Sequence, residues 1–447
     1  MNKRIVILGA GESGVGTAVL ALQKGYEVFV SDFGTIAEKY EAMLLEYKIP
    51  YEQKQHSEEK ILEADMVMKS PGISEKVGIV KKIRAKGIKI ISEIEFAYPY
   101  CDGKIIGITG SNGKTTTTNL VYHIFKTAGF NVGMAGNVGI SFAYMVAKEP
   151  KDLYVIEISS FQLDDIDRFK CDIAILLNIT PDHLDRYNYE MKNYVASKFN
   201  ITKNQTGADA FIYCLDDEET INFLKLNPSK ISAKRFPFTI QKELEEGAFI
   251  KENKLFINIL QTTFSMLTNE ITIKGKHNQY NSLAAGLAAR HEEIRDEILR
   301  EAFSTFKSIP HRLESVLTIN GVEYINDSKA TNVNSAWYAL ESMEKDVIWI
   351  AGGVDKGNDY TSLIPLIKKR VKALVCLGDD NLKLQSTFSG IVDVIISTNN
   401  MKDAVRSASQ LAEKGEAVLL SPCCASFDLF QNYEDRGDQF KECIKNL

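Results

Sequence analysis

Short runs of aliphatic and β-branched residues recur from end to end of the chain, and most are followed by a stretch whose apolar residues repeat at helical spacing. Such runs, bounded by glycine or polar clusters, predict buried strands at Arg4–Leu8, Glu27–Ser31, Met66–Lys69, Lys104–Thr109, Tyr154–Ile158, Ile173–Asn178, Val347–Ile350, Ala373–Leu377 and Val418–Leu420. Helices are expected after many of them, including Val15–Lys24, Thr115–Thr127 and Met401–Lys414. Strands separated by helices imply βαβ units and parallel sheets. From Phe236 to Ile273, short β-like runs follow one another without a helix. The expected fold is α/β in three domains. The three blocks are 1–92, 93–296 and 297–447.

Charge narrows the partners. Lys and Arg number 53 against 59 Asp and Glu, a net charge of −6, and no basic stripe interrupts the balance. Sequence-independent nucleic-acid binding needs clustered cations, so no nucleic-acid partner is expected. Seven scattered cysteines, an odd number without CxxC spacing, argue against a disulfide framework or zinc site and for a reducing cytoplasm. The apolar run Ile5–Leu8 behind Lys3 and Arg4 stops at Gly9, too short for a signal peptide, and no membrane span is expected.

In open parallel sheets, ligands sit beyond the carboxyl ends of strands, and two glycine-rich turns fall there. Gly9-Ala10-Gly11-Glu12-Ser13-Gly14 matches GxGxxG, with Asp32 ending the next strand. The turn can present backbone N–H groups to a diphosphate, or it can let helix and strand pack closely; Asp32 can equally be a helix cap. The second turn is Gly110-Ser111-Asn112-Gly113-Lys114-Thr115-Thr116-Thr117. The strict Walker A pattern fails because Ile108 stands at its leading glycine, yet the strand–loop–helix context with Gly113-Lys114-Thr115 points to ATP or GTP. There the backbone curl wraps phosphates, Lys114 meets the β/γ oxygens and Thr115 can hold magnesium.

From this loop onward the chain resembles the Mur ligase family. The blocks that carry the resemblance are Gly110–Thr115, Val155–Leu163, Asn178–Arg186, Pro310-His311-Arg312, Asn326–Asn332 and Leu420-Ser421-Pro422, and they cover essentially the whole chain. The Asp327–Asn332 block with Leu420–Pro422 is most like the member that adds D-glutamate. The resemblance implies that 1–92 is an N-terminal Rossmann-like domain for the UDP precursor, 93–296 a central P-loop ATPase-like mononucleotide-binding domain and 297–447 a C-terminal Rossmann-like domain for the amino acid. It further implies ATP and two magnesium ions, with UDP-N-acetylmuramoyl-L-alanine and D-glutamate as substrates of a cytoplasmic monomer.

Taken alone, Glu157 is a strand-end carboxylate able to offer hard oxygen ligands or to cap a helix, His183 a loop histidine and Lys198 an ordinary helix lysine. The resemblance makes all three magnesium ligands with Thr115, Lys198 after carbamylation, which requires an uncharged amine. It assigns Lys114, His183, Lys198 and Arg312 to catalysis, and adds Asn278, Asn281, Arg312 and Asp327 to the phosphate-loop residues in binding ATP. It places Glu12, Ser13, Asp32, Phe33, Gly34, Gly72 and Asn137 on the UDP substrate. Lys329, Thr331, Lys356, Ser426 and Tyr433 fall on D-glutamate, whose two carboxylates suit lysines and hydroxyls. Phe33-Gly34 and Tyr433 depart from the residues common in the family. A nicotinamide oxidoreductase explains Gly9–Gly14 but not Lys114; a P-loop switch explains Lys114 but not a second ligand domain.

Overall fold

The structure, a computed structural model, describes residues 3–259, 261–307, 310–343, 345–355 and 357–447. The expected Lys356 site lies outside the described residues. The chain divides into two compact units, Met1–Ile271 with Asn278–Phe306, and Thr272–His277 with Lys307–Leu447.

The first unit holds two sheets. The N-terminal sheet runs β3-β2-β1-β4-β5 and is built from β1 (Arg4–Leu8), β2 (Glu27–Ser31), β3 (Tyr51–Glu52), β4 (Met66–Lys69) and β5 (Lys89–Ile91), paired in parallel. Ile5 and Ile7 pack into one apolar cluster while Val6 and Leu8 pack into another. Both faces are therefore covered, which is why parallel strands read as unbroken apolar runs. The central sheet contains β6 (Lys104–Thr109), β7 (Val132–Gly136), β8 (Leu153–Glu157), β9 (Ile173–Leu176), β10 (Ala210–Cys214), β11 (Lys234–Thr239), β12 (Gly247–Lys251), β13 (Lys254–Ile259) and β14 (Thr262–Leu267). Its order is β14-β13-β12-β11-β10-β9-β6-β8-β7, with β12, β13 and β14 antiparallel, and these strands occupy the stretch read as helix-free. β6 sits between β8 and β9, so the phosphate loop after β6 lies beside the ends of both.

The second unit has the order β15-β16-β20-β17-β18-β19, formed by β15 (Glu314–Ile319), β16 (Val322–Asn326), β17 (Val347–Gly352), β18 (Val371–Leu377), β19 (Val394–Thr398) and β20 (Ala417–Cys423). Trp349 and Leu419 enter one core cluster and Ile348 and Leu420 the opposite one. The expected boundary at residue 297 falls inside the helix Asp296–Thr305, which packs against the helix Lys114–Thr127 in the first unit. His123 Nε2 and Thr305 Oγ1, 3.1 Å apart, lie at that contact. Nothing in local composition marks the true edge, because an amphipathic helix can cap either neighbour.

Candidate functional site

The phosphate loop is braced before any ligand arrives. Gly113 has φ +83° and starts the helix Lys114–Thr127, a conformation that a side chain resists. Ser111 N–H and Asn112 N–H donate to Asn178 O and Oδ1, each at 2.9 Å. Ser111 Oγ donates to Thr180 O and accepts from Thr180 N–H, both at 2.9 Å. The segment after β9 therefore fixes the loop after β6. Lys114 Nζ donates to Gly110 O at 2.8 Å and Ser111 O at 2.9 Å, folding its charge onto the carbonyls of its own loop.

Lys198, from the helix Met191–Phe199, reaches the same place. Its Nζ also donates to Gly110 O at 2.8 Å, and the side chain is 1% exposed. Burial, and then the Lys114 charge, hold this amine well below the usual lysine value. His183 sits half-exposed in a left-handed turn at φ +52°, its ring 5.1 Å from that of Phe161. Partial burial, reinforced by Lys114 and Lys198 and opposed by Asp182, lowers its proton affinity and favours the neutral imidazole that a metal takes.

Glu157 ends β8 and is 2% exposed. Asn137 Nδ2 donates to its Oε1 at 2.9 Å, and Asn137 N–H donates to Glu157 O at 2.9 Å. Oε2 is buried without a hydrogen-bond partner among the described residues. Such an oxygen is stable only beside a cation, a donor or water. Among the described residues, no group of three His, Cys, Asp or Glu side chains can hold a metal alone. Magnesium takes one or two carboxylates and fills its remaining positions with phosphate oxygens and water, so the unpartnered Glu157 oxygen fits it. Asn281 Nδ2 donates to Asn278 Oδ1 at 3.0 Å, and Asn281 Oδ1 accepts from Thr117 Oγ1 at 3.1 Å, so this pair abuts the loop helix.

At the N-terminal turn, a Cβ on Gly14 would lie 1.9 Å from Gly9 O, so this glycine is required for close packing. Both oxygens of Asp32 accept backbone bonds, from Ala10 N–H at 2.6 Å and Gly34 N–H at 2.7 Å, and thereby shape the turn. Glu12 accepts from Ser141 N–H and Tyr40 Oη at 3.1 and 3.0 Å. Ser13 O accepts from Thr17 Oγ1 at 2.7 Å. Phe33 is 73% exposed, with His56 beside it at 5.6 Å between ring centres. Gly72 O accepts from Arg186, at 2.7 Å.

Within the second unit, Asp327 is buried and accepts from Ser421 Oγ at 2.9 Å and Leu313 N–H at 3.2 Å. Burial pushes its carboxyl up to about 7 against the pull of Ser421 and Arg312. The Arg312 Nε is buried without a partner among the described residues. Lys329 Nζ lies 5.2 Å from the centre of the Tyr433 ring, which brings two of the expected D-glutamate residues together. Thr331 N–H bonds to Lys329 O at 2.9 Å, and Ser426 is buried with its carbonyl accepting from Phe430 N–H at 2.9 Å.

Sequence reasoning missed Arg436. This 1%-exposed arginine donates to Ser328 Oγ at 2.9 Å, Ser328 O at 2.8 Å and Cys424 O at 3.1 Å, tying together the two loops that carry Lys329 and Ser426. Nothing in the local sequence separates it from a solvated helix arginine.

A braced phosphate loop, an orphaned carboxylate oxygen at the neighbouring strand end and a buried lysine define a nucleotide-dependent phosphoryl-transfer enzyme on an α/β scaffold. Three family models match: a MurD-like N-terminal domain over residues 3–92, the Mur ligase middle domain over 108–289 and the Mur ligase glutamate ligase domain over 311–424. The chain belongs to the Mur ligase family and is an ATP-dependent ligase. It is 54% identical over 447 residues to a UDP-N-acetylmuramoylalanine–D-glutamate ligase of Christiangramia forsetii, covering 100% of both chains. A Bacteroides fragilis protein of the same name is 52% identical over 446 residues, again with 100% of both covered. Among solved structures, UDP-N-acetylmuramate-alanine ligase of Thermotoga maritima aligns with a TM-score of 0.64 at 16% identity over 100% of each chain. A Mycobacterium tuberculosis folylpolyglutamate synthase, complexed with ADP and AMPPCP, aligns at 0.59 and 14% identity, covering 76% of this chain and 92% of that one. Both share the fold. No helix among the described residues is long and apolar enough to cross a membrane.

Proposed function

We propose that this ligase joins D-glutamate to UDP-N-acetylmuramoyl-L-alanine, working as a monomer in the cytoplasm. The γ-phosphoryl group of ATP passes to the alanine carboxylate, giving an acyl phosphate and ADP. The D-glutamate amine attacks the acyl carbon, the C–O bond to phosphate breaks, and the amine proton is lost as the amide forms. The observation that carries this reading is the meeting of Lys114 and the buried Lys198 on the Gly110 carbonyl.

Each side chain then has a task. Lys114 leaves the Gly110 and Ser111 carbonyls to meet the β/γ oxygens, exchanging neutral acceptors for anionic ones. Thr115, Glu157, His183 and a carbamylated Lys198 would hold two magnesium ions, which offset the charge of the moving phosphoryl group when bound. Carbamylation replaces one Nζ hydrogen of a neutral amine, so the remaining N–H can keep the bond to Gly110 O. Asn137 orients Glu157 by holding its other oxygen. Asn278 and Asn281 line the adenine side, Arg312 offsets phosphate charge and Asp327 accepts from ribose hydroxyls. Lys329, Thr331, Lys356, Ser426 and Tyr433 receive D-glutamate. Glu12, Ser13, Asp32, Phe33, Gly34 and Gly72 border the UDP substrate, with Asp32 acting through the loop it shapes.

Phosphate release from ATP with UDP-N-acetylmuramoyl-L-alanine, compared across D-glutamate, L-glutamate, D-alanine and diaminopimelate, tests the reading. Turnover with D-glutamate alone is expected. Equal turnover with another amino acid, or hydrolysis indifferent to all four, overturns it.

A further inference from the structure

One loop of the N-terminal domain, residues 70–76, lies over a cavity of about 620 Å³ shared with the central domain. Lys69, Ser74 and Arg84 line it on one side and Phe161 and Arg186 on the other. Ile73 alone anchors the segment to the apolar cluster of the N-terminal sheet, and the rest takes its position from polar ties.

Those ties gather at two points. On one flank, Lys69 Nζ lies 3.2 Å from Glu75 and 3.2 Å from Asp165, and donates to Ile73 O at 3.3 Å. Arg84 reaches Asp165 at 2.7 Å and Glu75 at 3.3 Å. On the other flank, Arg186 donates to Gly72 O at 2.7 Å, and Lys76 Nζ donates to Asp185 O at 3.0 Å. The Arg186 guanidinium lies 4.6 Å from the Phe161 ring centre, and that ring is also the neighbour of His183. A planar guanidinium can stack on an aromatic face and donate in its own plane, which an ammonium cannot.

We propose that Arg186 is a positioning residue. By bonding to the Gly72 carbonyl while lying on Phe161, it holds the 70–76 loop in register with the His183 turn and so sets affinity for the nucleotide-linked substrate. This assignment rests on the reading of Gly72 as a substrate-loop residue. Sequence gives no hint of it, since Arg186 and Gly72 are 114 residues apart.

Arg186→Met removes the donor and keeps the stem, and Arg186→Lys keeps charge without the stacked fork. Hydrogen exchange should quicken about tenfold in Arg186→Met at Ile73 and Val77, whose amides bond within the loop, while β4 amides stay unchanged. The KM for UDP-N-acetylmuramoyl-L-alanine should rise about fivefold, with kcat and the KM for ATP within about twofold of wild type and Arg186→Lys in between. Unchanged exchange in the loop overturns the assignment, as does faster exchange without a change in that KM. An equal rise in KM for all substrates, or quickened exchange throughout both sheets, means general loosening and also overturns it. Should the wild type fail to use D-glutamate, the proposed function falls, while loop exchange and direct binding of the UDP compound still decide the role of Arg186.

Discussion

Replacing Asp327 by asparagine should stabilise the second unit at alkaline pH while weakening the enzyme. Asp327 is buried, and its carboxyl is pushed from 3.8 up to about 7. A carboxyl raised on folding binds its proton more tightly in the native state. The native state is therefore favoured by this group below about pH 4, and that advantage drains away as pH rises to about 7. Above that, holding the ionised group costs about 4 kcal/mol, from roughly three tenfold steps in proton affinity at 1.36 kcal/mol each. Asparagine fits both contacts: Oδ1 accepts from Leu313 N–H, and Nδ2 donates to Ser421 Oγ, whose hydroxyl proton turns away. It never ionises. The variant should come within about 1 kcal/mol of wild type near pH 4.5 and exceed it by up to about 4 kcal/mol at pH 8, without nucleotide.

Both tryptophans of the chain, Trp337 and Trp349, lie in that unit, so urea unfolding followed by tryptophan fluorescence reports on it alone. If Asp327 takes the ribose as proposed, ATP affinity measured by calorimetry at pH 8 should fall about tenfold, because the hydroxyls lose a charged acceptor. A stability difference that is the same at pH 5 and pH 8, or wild type being the more stable at pH 8, would refute the argument.

Three further substitutions probe the first unit. Glu157→Gln preserves the bond from Asn137 and gives the orphaned oxygen's place to an amide, so urea stability should stay within about 1 kcal/mol while phosphate release falls at least about a hundredfold across a magnesium titration. Lys198→Ala should abolish turnover, with added formate or acetate restoring part of it by standing in for the lost carbamate; full activity without any added carboxylate refutes that role. Gly113→Ala meets both a φ of +83° and a contact of 2.5 Å with Asn281 Oδ1, so it should cost about 1–3 kcal/mol in urea and eliminate measurable ATP binding.

Legibility followed physics. Strands buried on both faces announce themselves because every position is apolar, and β1, β2, β4 and β6 appear at the residues expected. The hairpin β15–β16 was not read: β15 alternates between partly buried and exposed residues, and its only strong mark is the Asn320-Gly321 turn. The phosphate loop was legible because curling backbone around phosphate demands glycines at fixed offsets. Asp32 and Asn137 were legible as positions, but not for the bonds they make to Ala10, Gly34 and Glu157.

Lys198 shows where local reading ends. Its helix begins at Met191 and carries Lys192 on its outer side, and by spacing alone nothing separates the two lysines. What separates them is tertiary. The Gly110 carbonyl that receives Lys198 is 88 residues away, placed there because β9 runs beside β6 and its following segment braces the loop. A buried amine is stable if it is neutral and bonded, and Gly110 O supplies the bond. Lys114 on the same carbonyl adds a positive neighbour that presses the amine further toward neutrality. On the proposed function, ATP draws Lys114 outward and leaves that carbonyl a single lysine donor. The loop's two lysines are thus coupled through one oxygen, and Lys114→Met should raise the proton affinity of Lys198 even though the two side chains lie on different helices.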